Sequence, residues 1–463
     1  MGGLTPLLGI GTSALAAFQR ALAVTGHNIS NVNTPGYSRQ ETILTETDPQ
    51  NSRPGQIGTG VQASEIRRSV DTFVERQLLT SHERSGQFEA SRNALQRVQP
   101  LFGDSDGQGL AAGLNEFFSA WQDVATNPSD PTTRTVLLSK ATTLANRFNQ
   151  NAVELSAQRQ ALDGQIGQSI TDVNQLASQI ADLNQSISRA EFSGQQANDL
   201  RDQRGLLLNQ LGELVDVSTV EDGTGQLTVF VGKGQVLVDK HRVYALSGAA
   251  NSANSGLLDV QYDGGGGPVT LNSVIAGGRL KGLLDVRDQT IPSIRASFDQ
   301  LASAVVTQVN GLHQAGYGLD GSTGQAFFST TGTTAATMQV SLTDIQKVAA
   351  SSTAAGVPGN NVNALAIGNL QTSSFASLGN ATFQEFYSAT AGNFGATMQG
   401  AEQDLSAQEI AQEQLEAHRA EISGVSLDEE LVNLLKYQRA FQAASRLVVV
   451  ADELLQTILT LKR

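Results

Sequence analysis

Imidazole, amide and phenol side chains crowd one short stretch, HNISNVNTPGY, which runs from His27 to Tyr37 and carries Asn28, Asn31 and Asn33. Such a cluster could be the floor of an active site, because histidine changes charge near neutral pH. A mechanical reading competes with that one. Asn33 can take the left-handed conformation past a helix end, Pro35 pushes Thr34 into extended backbone, and Pro35–Gly36 suit the two central positions of a type II turn. On this reading the preceding helix stops near Val32, and His27 and the asparagines serve its last unpaired carbonyls.

Other reactive side chains are scattered. The five histidines, at 27, 82, 241, 313 and 418, stand singly, and His82–Glu83 has no second histidine four residues on, so the zinc-helix pattern fails. Val231–Gln235 (VGKGQ) lacks the first glycine and the Ser/Thr of a phosphate loop and reads as a hairpin turn. Asp320–Gln325 (DGSTGQ) lacks the spaced acids and closing glutamate of a calcium loop and reads as a surface turn. Asp428, Glu429 and Glu430 fall where a helix begins and complement its dipole. Trp121, the single tryptophan, follows Phe117 and Phe118 at helical spacing and reads as a core anchor. No catalytic, cofactor-binding or metal-binding set emerges, and none is expected.

The chain has 463 residues, enough for several structural units. A formal net charge of −14 repels a phosphate backbone, so nucleic acid is not an expected partner. With no cysteine there is neither a disulfide framework nor a thiolate metal site. Met1–Ala23 has no Lys or Arg before Arg20 and runs straight into the polar cluster, unlike a cleaved secretion signal, and membrane insertion is not expected.

The elements that must position these groups are mostly helical. Leu15, Phe18, Leu22, Thr25, Ile29 and Val32 form one stripe of a helix over 11–32. Leu427, Leu431, Leu434, Tyr437, Phe441, Ala444, Val448, Ala451, Leu455 and Ile458 form a heptad seam, with Ser426 as its cap and Lys462 and Arg463 at its far end. Between them, helices are expected over 71–98, 110–125, 131–162 and 166–214. In the last, Ile166, Val173, Ile180 and Ile187 recur at seven, with Leu176 and Leu183 filling in. Short β-rich runs separated by glycines occupy 215–284, IAGGRLKGLL included. Helix returns over 291–312, loops with a strand near 338–342 follow, and a helix covers 383–420.

The expected fold is therefore mainly α with a smaller β part. It is an elongated multi-domain protein whose terminal helices pair as a coiled coil. Residues 1–50 with 421–463 form that terminal unit, 51–214 with 285–420 a mainly helical bundle, and 215–284 a β-rich insertion.

ALAVTGHNISNVNTPGYSRQ resembles the N-terminal signature of the axial proteins of the bacterial flagellum, the rod, hook and hook-associated family. LDEELVNLLKYQRAFQAASRLVVVADELLQTILTLKR resembles their C-terminal signature. GTGVQASEIRRSVDTFVERQL, LNEFFSAWQDVATNPSDPTTRTVLLSKATTLANRF and NDLRDQRGLLLNQLGELVDV are similar to the helical domain of its hook-associated branch, at the first junction between hook and filament, and TPGYSRQ fits that branch too. The resemblance covers residues 1 to about 290 and 360–463, with the outer domain reduced.

The resemblance implies a non-enzymatic structural protein that self-associates in a helical tube. It further implies uncleaved passage through the flagellar type III export channel and an extracellular place at the hook tip. The partners it implies are the hook protein, the second junction protein on the filament side and a dedicated export chaperone at the C-terminal region. Leu15, Phe18, Leu22 and Ile29 are then expected to pack against Leu427, Leu434, Phe441, Val448 and Leu455. His27 and the asparagines would line a wet subunit contact beside the turn of Asn33, Pro35 and Gly36. A hook or distal rod protein of the same family is the alternative, and a flagellum-associated wall hydrolase a remote one.

Overall fold

The computed structural model describes residues 4–52, 55–103, 107 and 109–461; Lys462 and Arg463 lie outside the described residues. The fold is mainly α with smaller β parts, as expected.

Helix α1 (Leu4–Ser30) ends at Ser30, slightly before the expected stop at Val32. The Thr34 carbonyl accepts the Tyr37 N–H at 3.2 Å around Pro35 and Gly36, with Gly36 at φ +77°, the sign a type II turn requires at its second centre. Asn33 does not take the expected left-handed conformation. The Thr34 N–H is already bonded to the Asn31 carbonyl at 2.9 Å, and the reversal of φ is deferred to the glycine, which adopts it without a Cβ clash.

The sequence reading contains no strands here, yet β1 (Gln40–Glu46) and β4 (Val61–Arg68) form an antiparallel ribbon whose far end holds the short pair β2 (Gln50–Ser52) and β3 (Gly55–Ile57). Both long strands pack along α1. Helix α2 (Thr72–Val98) follows, capped by Asp71, whose carboxylate accepts the Phe73 N–H at 2.8 Å.

Helix α3 (Leu110–Thr126) and helix α4 (Pro131–Glu191) come next, the latter capped by Asp130. The break expected at 163–165 is absent: α4 is one helix of 61 residues. Leu155, Leu162 and Ile166 continue a single buried seam through that point, so nothing is gained by breaking it. The break falls instead after Glu191, before α5 (Asn198–Leu214). Ile166, Val173, Ile180 and Ile187 are buried as expected. Their partners, however, are Ile170, Ala177 and Asn184; Leu176 and Leu183 are only half-buried.

The insertion forms two antiparallel sheets. One is a meander of β5 (Val217–Glu221), β6 (Leu227–Val231), β7 (Gln235–Asp239) and β8 (Arg242–Val243); VGKGQ is its β6–β7 turn. The other joins β9 (Leu246–Asn251), β10 (Leu257–Asp263) and β11 (Pro268–Thr270). Asn184 docks the first sheet on α4, donating to the carbonyls of Leu227 and Lys240.

Expected as the end of this β region, IAGGRLKGLL instead enters α6 (Gly278–Asp285). Its leucines, Leu280, Leu283 and Leu284, bury at helical spacing against α2. A π turn over Val286–Thr290 carries α6 into α7 (Ile291–Ala315).

The strand expected near 338–342 is reduced to a bridge between Phe328 and Val340, and α8 (Val362–Asn369) was not anticipated. Helix α9 (Phe383–Ser423) starts in a capping box of Thr382 and Glu385. Helix α10 (Leu427–Leu461) closes the chain, with the Ser426 hydroxyl accepting the Glu429 N–H at 3.5 Å.

The core runs through the bundle and into the sheets, and Trp121, fully buried beside Phe327 and His313, is the anchor expected. Helix α1 lies outside that core, paired with α10.

Candidate functional site

Two features outside the main core carry exposed or interlocked groups: the α1–α10 pair and the corner where it joins the bundle. The pair is held by small residues. On α1 the buried positions are Gly11, Ala17, Ala21, Val24, Thr25 and Asn28; on α10 they are Glu430, Ala444 and Ala451. A Cβ on Gly11 would lie 2.6 Å from Val448 Cγ2, so the helices approach as closely there as a glycine permits.

Most of the residues expected at this contact are partly covered in the single chain. Leu15, Phe18, Leu22 and Ile29 are only half-buried, as are Leu434, Phe441, Val448 and Leu455, while Leu427 is 47% exposed and Leu431 50%. The seam on α10 steps back from Leu434 to Glu430, four residues away, and not to Leu431, three away. Glu430 is 2% exposed, and its charge is answered there by Arg39 and by the Asn28 amide. Large apolar side chains are thus left on outer surfaces: Leu431, Val432, Leu435, Val449, Val450 and Leu459 are all at least half exposed. By length and composition α1 is also apolar enough to span a membrane, with a mean hydropathy of 1.4.

The corner is built by HNISNVNTPGY. The Asn28 side-chain amide acts as a strand partner for Gln40: its Nδ2 donates to the Gln40 carbonyl at 2.9 Å and its Oδ1 accepts the Gln40 N–H at 2.9 Å. The same amide donates to Glu430 Oε2 at 3.2 Å and accepts the Tyr37 hydroxyl at 2.8 Å, so its hydrogen-bonding capacity is filled. Asn28 is buried within one chain and cannot line the expected wet subunit contact; Asn33 is exposed. Asn31 does serve a helix carbonyl, that of His27, at 3.0 Å.

His27 Nε2 lies 3.2 Å from Asp199 Oδ1 and its Nδ1 3.3 Å from Asn31 Nδ2, so both ring nitrogens are occupied by the protein itself. Burial, with Asp199, Asp202 and Glu430 nearby, pushes the Tyr37 hydroxyl above the usual phenol range, which keeps it a neutral donor. His27 and Tyr37 meet edge to face, their ring centroids 5.6 Å apart.

Five elements converge here. Asp202 at the start of α5 accepts the Ser38 N–H at 2.9 Å and Arg68 Nη1 at 2.8 Å. Arg39 bridges to α10 through Glu430 and Glu429, both at 3.0 Å, and its N–H donates to the Ser423 carbonyl at the end of α9 at 2.8 Å. Arg419 on α9 binds Glu75 at 2.8 Å and the Gly36 carbonyl at 3.2 Å. Sequence reasoning missed Glu430, Arg39, Asp202, Arg68 and Arg419. The available signal was an acid at a heptad position and arginines just past a turn.

A cleft of about 740 Å³ opens beside the corner, lined among others by Gly36, Arg68, Glu75, Arg201, Arg204 and Arg419. Each of these charged groups is already paired: Arg68 with Asp202, Arg419 with Glu75, and Arg201 and Arg204 with Glu221. Elsewhere, His82 pairs with Glu213 at 3.1 Å, and Asp320 closes its turn by accepting the Ser322 N–H. Among the described residues no three His, Asp or Glu side chains gather at metal-binding distance. The arrangement is suited to fixing an angle between helices.

Comparisons with known proteins point the same way. Residues 95–328 match the family described as flagellar hook-associated protein FlgK helical domain, residues 8–37 the flagella basal body rod protein family, and residues 417–461 the flagellar basal body rod FlgEFG protein C-terminal family. Flagellar hook-associated protein 1 of Bacillus subtilis is 29% identical over 486 aligned positions, covering 96% of each chain. Those of Salmonella typhimurium and Escherichia coli are 33% and 31% identical over 331 positions, 70% of this chain and 60% of theirs. The fold is similar to that of the flagellar hook junction protein FlgK from Burkholderia pseudomallei, with a TM-score of 0.68 at 17% identity, covering 75% of this chain and all of that one. With a helical-domain match spanning half its length between two matched termini, the chain belongs to the flagellar hook-associated protein 1 family, a structural component of the bacterial flagellum.

Proposed function

We propose that the chain is a non-enzymatic adaptor at the hook–filament junction, built into the flagellum as a helical tube. The observation that carries this is the α1–α10 pair: its most buried positions are mainly small or polar residues, and many of its larger apolar side chains stay exposed. Apolar surface of that extent on a helix pair is stabilised by covering it, and a heterologous contact with neighbouring copies covers it in an open helical array. Residues 1–50 with 421–463 then serve as the inner unit, 51–214 with 285–420 as the outer helical unit, and 215–284 as its β-rich insertion. The corner sets the angle between inner and outer units.

Family membership further supports export through the flagellar type III channel, a chaperone on the C-terminal region and an extracellular place between the hook protein and the filament-side junction protein. A helix pair with a shallow seam is compatible with unfolding for passage.

The test is removal of 427–463 in cells lacking the full chain. Filaments should no longer attach to hooks; normal attachment would sink the proposal. Immunogold labelling should mark a narrow band at the hook tip, whereas labelling along the whole hook would favour a hook protein.

A further inference from the structure

The face of α10 turned away from its seam carries an exposed row, Val432, Lys436, Arg439, Ala443, Arg446 and Val450, in steps of four and three. Lys436 lies 5.8 Å from the Tyr437 ring, and none of the three cations has an ion-pair partner among the described residues. In a chain of net charge −14, three uncompensated cations in one helical row are a local exception.

Helix α9 carries the opposite row. Glu402, Glu409, Glu413 and Glu416 are exposed, in steps of seven, four and three, beside the buried Leu405 and Gln408. None is in an ion pair among the described residues, and Glu416 accepts a hydrogen bond only from Gln412.

The two rows are mirror images about the short link 424–426. Counting outward from it, Lys436 falls level with Glu413, Arg439 with Glu409 and Arg446 with Glu402, each within one or two residues, or roughly 1.5–3 Å of helix rise. An antiparallel α9–α10 hairpin therefore pairs all three cations. A parallel alignment does not: matching Lys436 and Arg439 to Glu413 and Glu416 leaves Arg446 opposite Ser423, and shifting by one turn sets it against Arg419.

We propose that α10 has a second seat, folded back along α9 of its own chain and held by Lys436–Glu413, Arg439–Glu409 and Arg446–Glu402. The link 424–426 supplies the bend. Reaching this seat gives up the Glu430 bonds to Arg39 and Asn28, so the two seats exclude each other at the corner. A chain in the folded-back state has withdrawn α10 from α1 and cannot offer the assembled pair to a neighbour. Resting on the tube reading, this makes the contact a brake on self-association before the chain reaches its place.

The chain has no cysteine, so paired cysteines report without background. In the purified full chain carrying Glu409→Cys and Arg439→Cys, mild oxidation should give an intrachain disulfide, seen as a faster-migrating monomer, and 1 M salt should suppress it several-fold as charges are screened. A disulfide-linked dimer, or no disulfide, would overturn the proposal. K436E/R439E/R446E should raise the rate of self-association in solution by about tenfold, three exposed pairs each being worth a small factor, and adding E402K/E409K/E413K should restore the slow rate. An unchanged rate, with helix content intact by circular dichroism, would equally overturn it. If the disulfide forms but chains lacking 427–463 still attach filaments, the second seat stands and the tube reading falls.

Discussion

Glu430 and His313 show how single side chains tie the structure together. Glu430 is a buried carboxylate with a guanidinium and an amide as partners, a contact that fixes register more than it adds stability, since desolvation offsets much of the attraction. His313 sits fully buried between the Gln325 carbonyl, 2.7 Å from Nδ1, and the Ala349 N–H, 3.1 Å from Nε2, which specifies the neutral ring. Burial holds its pKa down to about 4, with nearby Arg134 adding to the effect and the Gln325 contact opposing it. Because the folded pKa lies below the ordinary value of about 6.5, the stability linked to this ring is present above that pH and lost as pH falls through 4. His313→Gln should flatten the unfolding free energy across that window by on the order of 3 kcal/mol, measured by denaturant titration at several pH values. A profile as steep as that of the unaltered chain would exclude the ring as the source.

At the scale of elements, α1 and α10 depend on close approach. Gly11 faces Val448 with no room for a Cβ, so Gly11→Leu should splay the pair. Overpacking of this kind costs about 1–3 kcal/mol, and the bundle core, to which α1 does not belong, should be unaffected. Hydrogen exchange should show faster exchange in α1 and α10 with α4 unchanged; equal protection in the variant would show that the seam is looser than its geometry implies. The residues around the pair were legible in the periodicity of the sequence, but the buried face was not. A seven-residue repeat leaves the choice between the third and fourth residue open. Packing chose Glu430 over Leu431, and Ile170, Ala177 and Asn184 over Leu176 and Leu183.

For the whole molecule, burial is unevenly distributed. The bundle and both sheets share one apolar core, whereas the terminal pair is held by a shallow seam and a polar corner. Limited proteolysis of the isolated chain should therefore cut first within α1 and α10 and leave a resistant fragment containing α2 to α9; the same sites should be protected in assembled flagella. Simultaneous cleavage of α4 and α10 would contradict that hierarchy. A firm bundle with loosely seated terminal helices suits the proposed assembly, in which packing would be completed among neighbours.

The sequence by itself determined where most helices lie, that Ser426 caps the last of them, that Pro35–Gly36 turns the chain, and that the two ends carry the signatures of flagellar axial proteins. Those features are local: a cap, a turn or a repeat acts within a few residues and leaves its mark in their order. The tertiary structure decided which face of each helix is buried, the continuity of α4, the β1–β4 ribbon, and the use of Asn28 as a strand partner for Gln40. These depend on how closely distant segments approach. In HNISNVNTPGY, groups that could do chemistry became structural because Asp199 and Glu430 arrive from elsewhere in the chain to meet His27 and Asn28, and the backbone of Gln40 takes the rest of the Asn28 amide.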